Sequence, residues 1–248
     1  MKRRLAICVW VALTSAVGWL PLSAATNGWS FTVSPYLWVA GVGLEADLPG
    51  QPSAGPGVER FATRITAGAM LSAQARCHSV GLFADFAWLR LRTEALSPGP
   101  AYGDVSLRSD FIHSTAALTY QLPLAGKLHA ELLAGARLWH VAHEFAVTDG
   151  LLPGFNAASD RTWVDPVLGA ALSCDLGRRW SADVKGLVGG FGVSADFAGE
   201  VFAGVSHHFS DRCSVTVGYR YLHEDYARDN FAFQLDAHGC LLGVGFRF

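Results

Sequence analysis

Ten charged side chains fall on the same face of the alternating apolar segments that contain them. They are the acidic Asp85, Glu131, Asp165, Asp183, Glu200 and Glu224 and the basic Arg64, Arg137, Lys185 and Arg220. Brought together away from solvent, groups of both signs would make a paired, hydrogen-bonded network. A ring of one sign would line an ion path instead. Four further groups could do chemistry if their neighbours converged. In His140-Val141-Ala142-His143-Glu144, two imidazoles at i and i+3 would share a helix face and could chelate a metal. His113-Ser114 pairs a base with a nucleophile. His207-His208 offers two adjacent metal ligands, and His223-Glu224-Asp225, with Asp229 close by, offers acid–base groups.

The elements that carry these residues decide between the readings, and the elements are strands. Successive side chains on a strand point to opposite sides, and so do residues three apart. His140 and His143 then cannot hold one ion, His207 and His208 fail for the same reason, and His113 and Ser114 diverge. No metal, cofactor or catalytic set is expected. After the N-terminal Cys8, four cysteines remain, Cys77, Cys174, Cys213 and Cys240, with no zinc-ligand spacing. Three of them fall near short turns on strands that are not neighbours. The reading is free thiols packed among apolar groups, although disulfides are permitted in an oxidising compartment.

Period-two alternation runs through most of the chain. In the first segment Trp29, Phe31, Val33, Pro35, Leu37 and Val39 share one face, while Ser30, Thr32, Ser34, Tyr36 and Trp38 share the other. The pattern predicts strands near 28–42, 61–76, 79–94, 106–122, 127–146, 161–175, 180–190, 198–209, 213–226 and 231–248. Short turns at Cys77-His78-Ser79, Pro123 to Lys127, Leu176 to Arg179 and Ser210-Asp211-Arg212 alternate with longer loops at about 43–60, 95–105 and 147–160, and shorter ones near 191–197 and 227–230. Short turns on one side and long loops on the other are the periplasmic and extracellular ends of a membrane β-barrel, and an even strand count puts both termini at the periplasmic end. The fold class is therefore all-β: a transmembrane, antiparallel up-and-down barrel of ten strands, with eight strands and one hairpin outside the barrel as the alternative. The segment Leu48 to Gly57 reads as a mobile surface loop. Two places break the alternation. Phe231, Phe233 and Leu235 have the opposite parity to Leu242, Val244, Phe246 and Phe248, which predicts a β-bulge near His238-Gly239. A similar slip falls around Trp88-Leu89. Trp29, Trp180, Tyr219, Tyr221, Phe246 and Phe248 suit the interfacial girdles, and Trp38 and Trp163 face inward.

Composition agrees with this class. Hydrophobic residues make up 51% of the chain and charged residues 16%, below the roughly 25% usual in soluble domains. Lys2-Arg3-Arg4, the apolar stretch Leu5 to Leu22 and the small residues Ser23-Ala24-Ala25 read as a secretory signal peptide over 1–25, leaving a barrel domain over 26–248. An uncleaved anchor is the alternative, and Pro21 with the small residues after it favours cleavage. Without the three basic residues of the leader the balance is 16 basic to 21 acidic, which excludes the basic face of a nucleic-acid binder. The last segment alternates up to the terminal Phe248, as a strand that closes a barrel would.

Several segments carry a likeness to known proteins: Ser34-Pro35-Tyr36-Leu37-Trp38, Trp163 to Gly169, Gly189-Gly190-Phe191-Gly192, Gly218 to Leu222 with Asp225-Tyr226, and His238-Gly239 through Phe248. The chain resembles a family of Gram-negative outer-membrane β-barrel proteins over nearly its whole length. The resemblance implies location in the outer membrane, contact with its lipid and lipopolysaccharide, and assembly by the barrel-assembly machinery through the strand ending at Phe248. It supplies no substrate and no catalytic residues. His113-Ser114 is similar to the His/Ser pairs of outer-membrane lipid A deacylases, which space the pair as His-x-Ser. The ten strands and His223-Glu224-Asp225 resemble the omptin proteases, without that family's second acidic pair. The expected function is a non-enzymatic, monomeric protein of structural or ligand- and surface-binding type with a plugged lumen. A narrow channel for small or hydrophobic solutes is the second reading and a barrel enzyme the third.

Overall fold

The computed structural model describes residues 28–47, 62–95, 103–228 and 231–248, and leaves out the side chains of 42–47, 62–67 and 93–95. The signal peptide read at 1–25, the loop Leu48 to Gly57 and Asp229 lie outside the described residues. Ten strands follow in chain order: β1 (Trp29–Asp47), β2 (Ala62–Cys77), β3 (Val80–Ala95), β4 (Val105–Leu122), β5 (Leu128–Val147), β6 (Phe155–Gly177), β7 (Trp180–Gly189), β8 (Phe197–His208), β9 (Cys213–Arg228) and β10 (Phe231–Arg247). Each pairs antiparallel with its neighbours, and β1 closes on β10. Backbone bonds between Phe31 and Phe248 in both directions extend that closure past the last paired residues. All ten strands belong to the barrel, so no hairpin lies outside it.

The alternation fixes what faces where. Leu82, Leu118, Leu132, Leu168, Val201, Val217 and Leu242 project outward and are between 49% and 62% exposed. Such a surface is stable only in lipid, where it costs nothing to leave it uncovered. The opposite parity points into the lumen, where Thr115, Arg137, Asp165, Glu200, Arg220 and Glu224 are each at most 2% exposed. The four described cysteines are free, and all have outward parity.

Three sequence expectations change. No bulge interrupts β10: its register with β9 runs unbroken from Phe231↔Arg228 to Phe246↔Cys213. Phe231, Phe233 and Leu235 keep the lumen-facing parity and are buried, while Leu242 and Phe246 face outward. The apolar face switches because the lumen itself is aromatic near the extracellular end and lined by Gly243 and Gly245 near the periplasmic end. The irregularity expected in β3 at Trp88-Leu89 lies in its partner: Ile65 pairs with Leu91 and Ala67 with Arg90, leaving Thr66 as the extra residue of β2. Strand β6 begins at Phe155, earlier than the alternation indicates. Its first eight residues are held by β5 alone and face water on both sides, so no apolar period marks them.

Two prolines stand at gaps in the ladders. Strand β6 meets β7 only from Val167 downward, and Pro166, with no N–H to give, sits at the last step. Strand β1 pairs with β2 only from Trp29 to Pro35, and its ladder with β10 skips Ser34 and Pro35. The loop 190–196 fills the wall above the short β7–β8 hairpin. It is tied by Gly190 N to Pro166 O at 3.3 Å, Ser194 Oγ to Val164 O at 2.9 Å, and the Arg228 guanidinium to Gly192 O and Ser194 O at 2.7 and 3.0 Å.

Candidate functional site in the barrel lumen

Inward rows from all parts of the barrel stack into three levels. At mid-height lies a layer of ion pairs. Asp85 accepts from Tyr36 Oη at 3.1 Å and from Arg220 at 3.0 Å, and Arg220 also donates to Tyr36 Oη at 2.8 Å. The same guanidinium reaches Glu200 at 3.2 Å. Glu200 is held in turn by Arg137 at 2.5 Å and by Lys185 at 3.4 Å. Arg137 Nε donates to Thr115 Oγ1 at 3.2 Å. Lys185 Nζ rests 4.2 Å from the centre of the Phe83 ring, and Arg220 lies 5.1 Å from that of Trp38. Strands β1, β3, β5, β7, β8 and β9 are thus tied to one another across the lumen. Charges this deep are tolerated because each meets an opposite charge and further donors.

Above this layer, toward the long loops, the lumen is filled by rings. Trp163 stacks on Tyr226 at 4.3 Å between centroids and on Trp139 at 6.1 Å, and Phe233 packs against Trp163 and Trp139 at 5.5 and 5.8 Å. Ala195 of the loop 190–196 enters this cluster and is fully buried. Asp165 holds the loop there by accepting from Ser194 N at 3.1 Å and Ala195 N at 2.8 Å. Glu224 accepts from Trp163 Nε1 at 3.1 Å. Below the ionic layer, toward the short turns, a chamber of about 410 Å³ is lined by Ser34, Ser72, Gln74, Glu131, Lys185 and Thr216 among others. There Arg76 pairs with Glu131 at 2.8 Å, Gln74 donates to Glu131 at 3.2 Å, and Asp183 accepts from Ser206 at 3.2 Å.

Of the ten residues singled out from the sequence, Asp85, Arg137, Lys185, Glu200 and Arg220 meet in one network. Glu131 and Asp183 line the chamber, and Asp165 and Glu224 sit in the aromatic level. Arg64 lies in β2, paired in register with Arg92, and its side chain is outside the described residues. The structure adds Tyr36, Thr115, Trp139 and Phe233, which the candidate set lacked. Parity placed Tyr36 with the inward Trp38 and Trp139 with the inward Arg137, whereas the expected bulge turned Phe233 outward, and no partner across the lumen was readable. The histidines separate as strand geometry demands. His113 is buried against Trp139 while Ser114 has outward parity, and His143 bonds Ser109 inside while His140 bonds Thr162 outside. His223 lies on the outer face and shares Asp236 with Tyr221, at 2.9 and 2.7 Å, while Glu224 points inward. Among the described residues no three His, Cys, Asp or Glu side chains are placed to hold a metal.

A closed, lipid-facing antiparallel barrel with a polar interior defines the class: this is an outer-membrane β-barrel protein. No protein-family model and no curated protein matches the sequence. Among solved structures, similar chains include Ail, the attachment invasion locus protein of Yersinia pestis, with 12% identity over 90% of this chain and 100% of that one, at a TM-score of 0.33. The translocator domain of autotransporter NalP from Neisseria meningitidis has 13% identity over 89% and 87% of the two chains, at 0.42. The P. putida toluene transporter TodX has 10% identity over 90% of each, at 0.35.

Proposed function

We propose that this chain is a non-enzymatic outer-membrane barrel whose lumen is closed, and that it serves the cell envelope as a structural or surface-binding protein through its extracellular loops. The observation that carries the reading is the stacking of two seals. The ionic layer joins six strands across the lumen, and the aromatic cluster with Ala195 fills the space above it. A water path would need both to open. In a barrel of eight to ten strands, side chains of this size suffice to fill the interior. The His/Ser and His/carboxylate neighbours among the described residues point to opposite sides of the wall, which supports binding over catalysis. On this reading a signal peptide over 1–25 exports the chain. The barrel sits as a monomer in lipid and lipopolysaccharide, and the barrel-assembly machinery inserts it through β10.

Single-molecule conductance in a planar bilayer tests the proposal. Refolded protein that shifts mobility on heating, and so is folded, should give no current steps. Stable, reproducible steps would replace this reading with the narrow channel for small or hydrophobic solutes.

A further inference from the structure

We infer that the blind chamber on the periplasmic side of the ionic layer is a binding site for a neutral, polyhydroxylated molecule of sugar size; this rests on the closed-lumen reading above. Three observations carry it. The first is that the chamber is kept open by the placement of small residues. The Phe202 ring lies flat against the wall because Gly204 and Gly218 make room for it. A Cβ at Gly204 would come within 2.6 Å of the ring, and one at Gly218 within 2.5 Å. With larger residues at either site the ring would be pushed across the lumen. The aromatic level above is filled by large rings, so the emptiness below is a property of these residues. At about 410 Å³ the space lies at the small end of ligand pockets, roughly 300–1,000 Å³, and suits one or two sugar rings.

The second observation concerns charge. The cations that line the chamber are already paired, Arg76 with Glu131, Lys185 and Arg220 with Glu200, and Arg220 with Asp85, while Asp183 accepts from the Ser181 and Ser206 hydroxyls. An anionic ligand would have to take one of these cations from its carboxylate in a confined space that also holds Asp183, at a cost a single new contact does not return. A neutral ligand leaves them intact and meets the hydroxyls of Thr32, Ser34, Ser72, Ser173, Ser206 and Thr216.

The third concerns two buried atoms that lack a hydrogen bond. Glu200 is 2% exposed and lines the chamber, and its Oε1 meets Lys185 and Arg220 as ion pairs at 3.4 and 3.2 Å but accepts no hydrogen bond. Arg76 Nε, on the opposite wall, is buried without an acceptor. Buried polar atoms of this kind are normally satisfied. A molecule with several hydroxyls can donate to one and accept from the other, and the neutral walls then bind its remaining groups.

The test is saturation-transfer NMR on the refolded barrel in a sugar-free detergent, with glucose and maltose as probes and glucose 6-phosphate as the charged comparison. Two variants fill the chamber. Gly243→Leu has room at its root, since a Cβ there would meet nothing closer than 3.4 Å, and Ser72→Phe enters the space from the other side of β1. Heat-modifiable mobility shows that each variant is folded. Saturation transfer to glucose or maltose from the wild type, lost in both folded variants and absent for glucose 6-phosphate, is the expected result. No transfer from a folded barrel that is silent in the planar bilayer overturns the ligand site alone. Equal transfer from both filled variants overturns it as well, by placing binding elsewhere. Conductance steps overturn the blind chamber and the closed-lumen reading together.

Discussion

Arg220 is the residue on which the ionic layer turns. It donates to Tyr36 and Asp85, contacts Glu200, and lies against the Trp38 ring, with 2% of its surface exposed. Arg220→Ala leaves Asp85 with Tyr36 and, at 3.9 Å, the His113 imidazole, and leaves Glu200 with one fewer cation in a confined interior. Breaking a buried pair by removing one partner costs about 3–5 kcal/mol. A clear fall in the melting temperature of the refolded barrel is therefore expected, and unchanged melting would show that the layer contributes nothing to stability. Phe233 plays the matching part in the aromatic level. It is fully buried and touches Trp139, Trp163 and Phe111. Phe233→Ala should destabilise by about 3–5 kcal/mol, the usual cost of deleting a buried aromatic ring. It should also raise quenching of the indoles by a water-soluble quencher added from outside. Loss of stability without added quenching would mean that the cluster collapses over the gap.

At the scale of elements, the most informative strand is β10. Its sequence shows a change of apolar parity, which predicts a bulge, whereas its register is continuous. The discrepancy has a physical source: alternation reports which side of a strand is apolar, and in this barrel both sides are apolar at different heights. Lipid faces the outer side near the periplasmic end, and Trp139, Trp163 and Tyr226 face the inner side near the loops. The continuous register makes a direct prediction. Val39 lies opposite Cys240, and paired Cα atoms in an antiparallel ladder are about 4.5–5.5 Å apart, within disulfide range. With Cys77, Cys174 and Cys213 replaced by serine, Val39→Cys should oxidise to an intramolecular bridge with Cys240, detected by its mobility after unfolding. Bridging by Trp38→Cys in its place would restore the bulge. Gly239 adds a second check on the same closure. A Cβ there would lie 1.9 Å from Val39 O, so Gly239→Val should prevent β10 from seating on β1 and abolish heat-modifiable folding. Normal folding of that variant would show that the two strands are not so close.

For the whole molecule, the vertical order of the lumen is the property that matters: an open chamber, then ion pairs, then rings, from the short turns to the long loops. On the proposed closed-lumen reading, opposite signs at one level cancel and tie strands together, and the rings above, with Asp165 and Glu224 among them, fill the way out. The order also yields a prediction for the assembly. Asp165 pins the loop 190–196 from inside through two backbone N–H groups, at a place where the short β7–β8 hairpin leaves the wall unpaired. Asp165→Ala removes both acceptor contacts and should expose this loop to protease while the barrel stays folded. Protection equal to wild type would mean that Arg228 and Ser194 hold the loop unaided.

The chain by itself determined the ten strands, their alternating turns and loops, and the inward parity of Asp85, Arg137, Lys185, Glu200 and Arg220. These follow from local rules: a strand has a period of two, a charge facing lipid is costly, and a turn needs its own residues. Only the tertiary structure decided which of those groups meet. Arg220 reaches Asp85 across 135 positions of sequence and Tyr36 across 184. Parity tells which side of the wall a residue is on, but its height and its partner across the lumen depend on how all ten strands are staggered when the barrel closes. The early start of β6, the placement of the extra residue at Thr66 and the division of the lumen into filled and open levels depend on that stagger too. It is set by every pairing at once, and no single segment carries it.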